Sequence, residues 1–408
     1  MLTFSSFIKK VRDILLYLLL FVSGISYHPT IIRMSHLAGY ESGTILSRYI
    51  VLLFGIVLLL SLNGNAFKHS QLVKKYTIWL LVIFVVGLMP LAFFNNMKMI
   101  TEIRTFLIIL GAILIGYDFR FAEKKKTFLI LAFCLPTLYS GLIQVLVNIG
   151  GFQIMDQYLA DSKNSLGAML ATTCFSLFYL FCTSTHRTYR VILFLLTMLA
   201  LAIIITIRAR MAMLSLFLVV IFYYYLLKRN SNFIISLVVL GVVAFFAVLL
   251  LPDSMFNYLE SSFTAGSQSE DISSGRFETY GEALYYLSFH PFLGNIQRKN
   301  QISWVHNYLL LKLYDYGILF SWPIITLYFV IIIRSVKKSF RFHPKSVECY
   351  GVVCLLIPYL ISIAEPTFPF GPGTVTVFNF VLLGVAERSF MMEPTKRFGE
   401  VEAAANMS

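Results

Sequence analysis

Long runs of apolar residues, separated by short polar segments, make up most of this 408-residue chain. A helix needs roughly 20 apolar residues to cross the ~30 Å hydrocarbon core of a bilayer. The apolar runs predict about twelve transmembrane helices, at residues 14–27, 46–63, 77–94, 101–117, 128–149, 165–185, 191–207, 211–227, 233–251, 307–333, 347–364 and 374–386. The pattern therefore predicts an all-α polytopic membrane protein, with residues 1–408 as a single integral membrane domain.

Composition agrees with this class, because 58% of the residues are hydrophobic and 13% are charged, whereas soluble domains carry about 25% charged residues. Lysines and arginines in short loops stay on the cytoplasmic side of a membrane. When both termini are placed inside, each of the seven predicted inner segments carries at least two basic residues. The net charge of +13 is therefore an orientation signal and an attraction to anionic membrane lipid, and it does not indicate nucleic-acid binding.

Metal and disulfide chemistry find no support in the sequence. All five cysteines lie inside predicted spans, where packing is their expected purpose. The chain contains no HExxH motif and no Asp-x-Asp pair that would hold a divalent ion. We therefore predict no metal site and no cofactor, so that arginines would have to supply the positive charge for any phosphorylated substrate.

The largest polar segment is the predicted outer loop, residues 252–306. Within it, Phe277, Tyr280, Leu284 and Leu287 recur at helical spacing, and they predict an amphipathic helix that ends near Pro291. Such a helix is expected to lie on the membrane surface or to dip into it.

Several arginines fall on the outer side, which is normally poor in them. A guanidinium presents a planar fork of donors that matches phosphate oxygens, and it keeps its charge, so it suits a pyrophosphate at head-group level. Contact with ordinary lipid phosphates remains an open alternative for each of them. Two of the arginines share a turn of a few residues between two spans, within the sequence IRARMAM. The outer arginines are Arg33, Arg104, Arg208, Arg210, Arg276 and Arg298.

Two histidines and one acid complete the candidate chemistry. His290 precedes Pro291 and is expected to cap or pack the helix end. His306 stands directly before a predicted helix, whose positive dipole end favours a neutral imidazole that can accept a proton from a hydroxyl; a hydrogen-bonded interface histidine is the alternative. Asp315 lies in the outer half of a span, and Lys312 is its expected structural partner.

Four segments together resemble motifs of the O-antigen polymerase/ligase superfamily of bacterial membrane glycosyltransferases. They are SGR at 274–276, HPFLG at 290–294, HNYLLLKLYDYGILF from His306 onward, and the arginine-bearing turn followed by MAMLSL. The layout, a GT-C-like arrangement of about twelve spans with one large late outer loop, is similar too. The turn reads RARMA where the family commonly has SRG. Arg208 and Arg210 therefore both remain open, and Arg210 is preferred because it precedes the small-residue run.

The resemblance implies transfer of a glycan from an undecaprenyl-diphosphate carrier at the outer face of the bacterial cytoplasmic membrane, with inversion and without a metal. It implies catalytic roles for Arg210, Arg276 and His306. The two arginines would stabilise the diphosphate leaving group, and the histidine would orient or deprotonate the acceptor hydroxyl. Further substrate-binding candidates are Arg208, Arg298, Arg33, Arg104, His290 and Asp315.

Within this family we predict a polymerase of O-antigen or polysaccharide repeat units, with a carrier-linked glycan as acceptor and with chain-length regulator and flippase proteins as further partners. Two alternatives stay open. An O-antigen ligase would pass the glycan to lipid A-core, and a flippase would move lipid-linked oligosaccharide across the membrane. Transporters usually contain repeats with interrupted helices near the midplane, whereas this chain gathers its polar residues in one late outer loop, which favours an enzyme.

Overall fold

The computed structural model describes residues 4–37, 46–62, 71–94, 98–119, 123–149, 157–207, 209–228, 276–297, 305–371 and 375–389. These residues form helices and turns, and no strand occurs among them. The helices are α1 (Phe4–Ile25), α2 (Pro29–Leu37), α3 (Leu46–Leu62), α4 (Gln71–Phe94), α5 (Lys98–Asp118), α6 (Glu123–Ile149), α7 (Gln157–Thr183), α8 (Arg187–Thr206), α9 (Arg210–Lys228), α10 (Arg276–Phe289), α11 (Tyr308–Ser339), α12 (Val347–Cys354), α13 (Leu356–Ile361) and α14 (375–389).

The helices coincide with the predicted spans wherever the described residues cover them. The span predicted at 233–251 and the first part of the outer loop, 252–275, lie outside the described residues. Among those described, six helices are long and apolar enough to cross a membrane, namely α5 to α9 and α11, and the bent pair α1–α2 would make a seventh span. The all-helical, multi-pass character is confirmed, whereas the total of twelve spans remains a prediction.

Two predicted spans differ from single straight helices. The first extends back to Phe4 and bends by 80° between α1 and α2, where Pro29 opens the second helix. The span at 347–364 breaks at Leu355 into α12 and α13. Pro358 has no amide hydrogen, so it cannot bond the carbonyl of Cys354, and this weakens the helix at the break.

The helix α14 forms the centre of the bundle. Every residue from Val375 to Glu387 is buried. Its backbone packs directly on α5, with Gly384 against the carbonyl of Ile113 and Gly116 against the carbonyl of Val381. Small residues allow this close approach between helices within membranes. The earlier helices therefore surround a helix whose side chains are covered on all sides.

Buried charges pair at one end of the bundle. Arg12 of α1 binds Asp13 at 2.7 Å and also binds Asp118 of α5. Lys125 of α6 reaches Asp13 at 2.6 Å, and Arg388 of α14 donates to the carbonyl of Asp118 at 3.4 Å. The three basic residues belong to three different predicted inner segments. Their meeting agrees with the prediction that these segments share one side of the membrane.

Charges near the start of α11 pair across helices. Lys98 of α5 binds Asp315 at 2.8 Å, and Lys312 binds Glu102 of α5. The predicted local pair of Lys312 with Asp315 is therefore wrong in its partners, because α5 brings a residue of opposite charge to each of them. Both α11 side chains are buried, and a buried charge needs such a partner to offset the cost of its desolvation.

The longest helix, α11, is interrupted at Gly317, where φ is 61° and ψ is −179°. The HPFLG segment docks at this interruption. The amide of Ile318 donates to the carbonyl of Pro291 at 2.9 Å, and the amide of Leu319 donates to the carbonyl of Phe292 at 3.1 Å. The break therefore keeps its backbone groups paired, as the interior of a membrane protein requires.

Two glycines make this docking possible. Gly294 ends the HPFLG segment with φ of 55°, and it packs on Gly317 backbone to backbone. A Cβ atom on Gly294 would lie 2.5 Å from the amide nitrogen of Gly317, and one on Gly317 would overlap the carbonyl of Phe292. Glycine adopts positive φ without steric cost. The HPFLG segment and the segment that begins at His306 are thus joined at their glycines.

We expect Gly317→Ala to lower the melting temperature of the purified protein in detergent. The substitution strains the backbone, at a cost of roughly 1–3 kcal/mol, and it crowds the carbonyl of Phe292. Gly281→Ala, in the middle of α10, is the matched control, because a Cβ there meets nothing within 4 Å. It should be neutral or stabilise the helix by up to about 1 kcal/mol. Equal melting temperatures for the two variants would contradict this account of the docking.

Candidate active site

The helix α10 runs beside the first turns of α11. Ala283 is fully buried in the contact, and Tyr280 packs beside it against Tyr314 and its neighbours. Of the predicted apolar face, Phe277 and Leu284 point outward, with 73% and 58% of their surface exposed. The predicted helix is confirmed, but it uses its alanine side for packing, and two of the four residues of the predicted face are exposed.

Hydrogen bonds fix the segment that carries His306. Tyr280 of α10 donates from its hydroxyl to the carbonyl of His306 at 2.6 Å. Asn307 caps α11 by accepting from the amide of Leu310 at 2.9 Å, and its side-chain amide donates to the carbonyl of Ile363 at 2.9 Å. The start of α11 is therefore tied both to α10 and to the segment that follows α13.

Arg276, the first residue of α10, binds a buried carboxylate. Its Nη2 donates to Oε1 of Glu365 at 3.2 Å. The same oxygen accepts a hydrogen bond from Nδ2 of Asn164 on α7 at 2.8 Å. Glu365 follows α13 and is 7% exposed. Three segments that are distant in sequence therefore meet at one carboxylate.

Burial and charge set the protonation of this cluster. The pKa of His306 is lowered, first because burial disfavours the imidazolium ion and second because Arg276 adds positive charge nearby. Burial raises the pKa of Glu365, while Arg276 and Asn164 act in the opposite direction. Nδ1 of His306 is buried and has no hydrogen-bond partner within the part of the chain that the structure describes. Burial and the nearby guanidinium therefore both favour the neutral form of His306.

Arg210 begins α9 after a tight turn from α8, as the IRARMAM sequence predicts. Its neighbour Ala209 packs against Gly167 of α7. Gly167 lies three residues from Asn164, which is ~4.5 Å along a helix axis. The helix α9 also packs on α13, shortly before Glu365. The start of α9 therefore lies beside the helices that hold the Arg276–Glu365 pair.

Arg33 on α2 and Arg104 on α5 have exposed side chains. His290 lies beside Tyr286, with the rings tilted and their centroids 4.8 Å apart. It follows the last turn of α10, ~21 Å from Arg276 along the helix axis. The structure therefore does not bring His290 to the cluster around Arg276.

Of the remaining three candidates, the structure describes Asp315 alone. Asp315 is engaged by Lys98 in the contact between α5 and α11. Arg208 and Arg298 lie outside the described residues, so their participation remains a prediction.

Sequence reasoning missed Glu365 and Asn164. The one signal that each of them carries is its position at the border of a predicted span, because Glu365 follows the span at 347–364 and Asn164 precedes the span at 165–185. A single polar residue at such a border shows no spacing that separates a site residue from an ordinary interfacial one.

The donors of the cluster suit an anion better than a metal ion. No three His, Cys, Asp or Glu side chains within the described ranges converge where they could hold a metal. The five cysteines are free thiols, and four of them are buried, as predicted for packing residues. Positive charge at the cluster comes from Arg276 and Lys163, which both lower the pKa of Glu365, with Arg210 on the neighbouring helix.

Comparison with known proteins bears on the same part of the chain. None of the curated proteins is similar enough to count as a match. Residues 193–319 match a family model described as O-antigen ligase. This match runs from α8 into α11 and includes Arg210, Arg276 and His306, whereas Asn164 and Glu365 lie outside it. Residues 193–319 are therefore similar to the O-antigen polymerase/ligase superfamily, whose motifs the sequence resembles.

Proposed function

We propose that this chain is a metal-independent, inverting glycosyltransferase of the bacterial cytoplasmic membrane. It would polymerise repeat units of O-antigen or a related polysaccharide, taking them from undecaprenyl diphosphate at the outer face. The family match suggests a membrane glycan-transfer enzyme. The observation that carries the proposal is the placement of Arg276 beside the His306 segment, because Tyr280, one helical turn after Arg276, donates a hydrogen bond to the carbonyl of His306 at 2.6 Å.

In the proposed reaction, His306 acts on the acceptor and Arg276 acts on the leaving group. The acceptor hydroxyl oxygen attacks the anomeric carbon of the donor, and the bond from that carbon to the diphosphate oxygen breaks. The hydroxyl proton passes to His306, and undecaprenyl diphosphate leaves with the bonding electron pair. Arg276, with Arg210, stabilises the negative charge on the leaving group, and removal of one such donor typically costs about 3–4 kcal/mol of barrier.

A ligase is the second candidate, because the matched family carries that description. Donor, leaving group and base would be the same in both reactions. The two functions differ in the acceptor, which is a carrier-linked glycan for a polymerase and lipid A-core for a ligase. An experiment that offers both acceptors therefore separates them.

Reconstituted protein supplied with undecaprenyl-diphosphate-linked glycan in a chelating buffer is expected to form chains longer than one repeat unit. His306→Ala should reduce the rate by roughly 10²–10⁴-fold, because the general base is lost. His290→Ala, at the far end of α10, is the control and should stay near the wild-type rate. Product size and attachment, measured with and without lipid A-core, decide between the functions.

Glycan found on lipid A-core alone would favour the ligase. Loss of all transfer in chelator would contradict the metal-independent reaction. Equal rates for the two histidine variants would contradict the assignment of the base.

We also propose that both termini are cytoplasmic, so that α10 lies outside the cell membrane. Glu282→Cys on α10 should react with a membrane-impermeant maleimide in intact cells, whereas Lys345→Cys, between α11 and α12, should react only after permeabilisation. Cys182, the native cysteine that is not fully buried, is first replaced by serine in both. Labelling of Lys345→Cys in intact cells would overturn this orientation.

The rate should depend on the protonation of His306. Its pKa lies below the ordinary value of 6.5, so the imidazole is neutral near pH 7 and kcat/KM falls only at lower pH, as the base becomes protonated. Arg276→Gln removes a nearby positive charge, so the pKa of His306 should rise. The fall of kcat/KM at low pH, the acid limb of the pH profile, should then begin at a higher pH. Arg187→Gln, an exposed cation at the start of α8, is the control. An acid limb that stays in place in Arg276→Gln would argue against the electrostatic contact.

A further inference from the structure

Glu365 joins α7, α10 and the segment after α13 at the candidate site. Among the described residues it accepts two hydrogen bonds, both on Oε1, one from Arg276 at 3.2 Å and one from Asn164 at 2.8 Å. The carboxylate side chain is 9% exposed, so its partners have to replace the water that it lost. The carboxylate is thereby held in one place by two donors from different helices.

Within the part of the chain that the structure describes, the guanidinium of Arg276 makes one hydrogen bond, from its Nη2 to Glu365. The side chain is 28% exposed, so protein covers it only in part. A guanidinium has five N–H donors in a rigid plane. Holding one corner therefore orients the remaining donors without using them.

We propose that Glu365 is a positioning residue for the diphosphate of the donor. By binding Nη2 it fixes the plane of Arg276, so that the remaining N–H groups, including both on Nη1, point to the site where the diphosphate binds. Asn164 holds the carboxylate in turn, which makes α7 a support of the site. This inference rests on the proposed function, since it takes a diphosphate as the ligand of Arg276.

Simple charge repulsion makes the opposite prediction for substitutions of Glu365. A carboxylate beside a diphosphate repels it, so a neutral side chain would strengthen binding if repulsion were the main effect. Positioning predicts weaker binding, because a mobile guanidinium loses conformational freedom when the ligand binds. The sign of the change in affinity therefore separates the two effects.

The test measures the dissociation constant of undecaprenyl diphosphate, the leaving group, by calorimetry on purified protein in detergent. Loss of one charge-assisted hydrogen bond should weaken binding roughly ten- to hundredfold in Glu365→Gln. Asn164→Ala, which removes the other bond to Oε1, should weaken it by a smaller factor. Glu282→Gln, an exposed glutamate on α10, is the matched control and should bind like wild type.

A double-mutant comparison shows whether Glu365 acts through Arg276. In an Arg276→Ala background there is no guanidinium to position, so adding Glu365→Gln should change the dissociation constant by less than about twofold. An equal loss in both backgrounds would overturn the proposal, as would tighter or unchanged binding in the single variant. Melting temperatures accompany each variant, and Asn164→Ala provides the same comparison if Glu365→Gln does not fold.

The proposed function can fail separately. Wild-type protein that binds undecaprenyl diphosphate but forms no glycosidic bond would contradict the transferase, and the affinities would still decide the positioning of Arg276. Wild-type protein that does not bind undecaprenyl diphosphate would overturn both.

Discussion

Where α11 breaks at Gly317, its freed amides bond to the carbonyls of the HPFLG segment, and the packing of α10 beside α11 depends on these hydrogen bonds. An unpaired amide inside a membrane protein costs several kcal/mol, so neither the break nor the docked segment is stable without the other. The docking fixes the end of α10. From there α10 extends along α11, and its first residue, Arg276, comes to lie near His306.

The cluster at Arg276 depends on residues from both sides of the matched family region. Residues 193–319 include the arginines and the histidine, but the carboxylate that holds Arg276 comes from the segment after α13, and its second donor comes from α7. Removing one partner of a buried carboxylate strongly destabilises the fold. The same contact therefore stabilises the fold and orients a cation, so effects on stability and on binding have to be measured separately at Glu365.

Sequence patterns predicted local features well. The tight turn before Arg210 follows from two apolar runs with a few polar residues between them, and the end of α10 follows from Pro291. Partners across helices were not predictable in this way. A spacing of three residues predicted an ion pair between Lys312 and Asp315, yet each of them pairs with a residue of α5. Which helices pack together depends on the whole bundle and cannot be predicted from the pattern within one helix. For the same reason, the contact of Glu365 with Arg276 could not be predicted.

The covered position of α14 has a consequence for biosynthesis. This helix is translated after the thirteen other described helices, yet they pack around it, with Gly116 of α5 shaped to receive its backbone. Until α14 leaves the ribosome and inserts, its place has to be filled by lipid or by loosely collapsed neighbours. Maturation of the bundle is therefore a late event, and a nascent chain that stalls before residue 375 would present an incomplete interior to the proteases that clear unfinished membrane proteins.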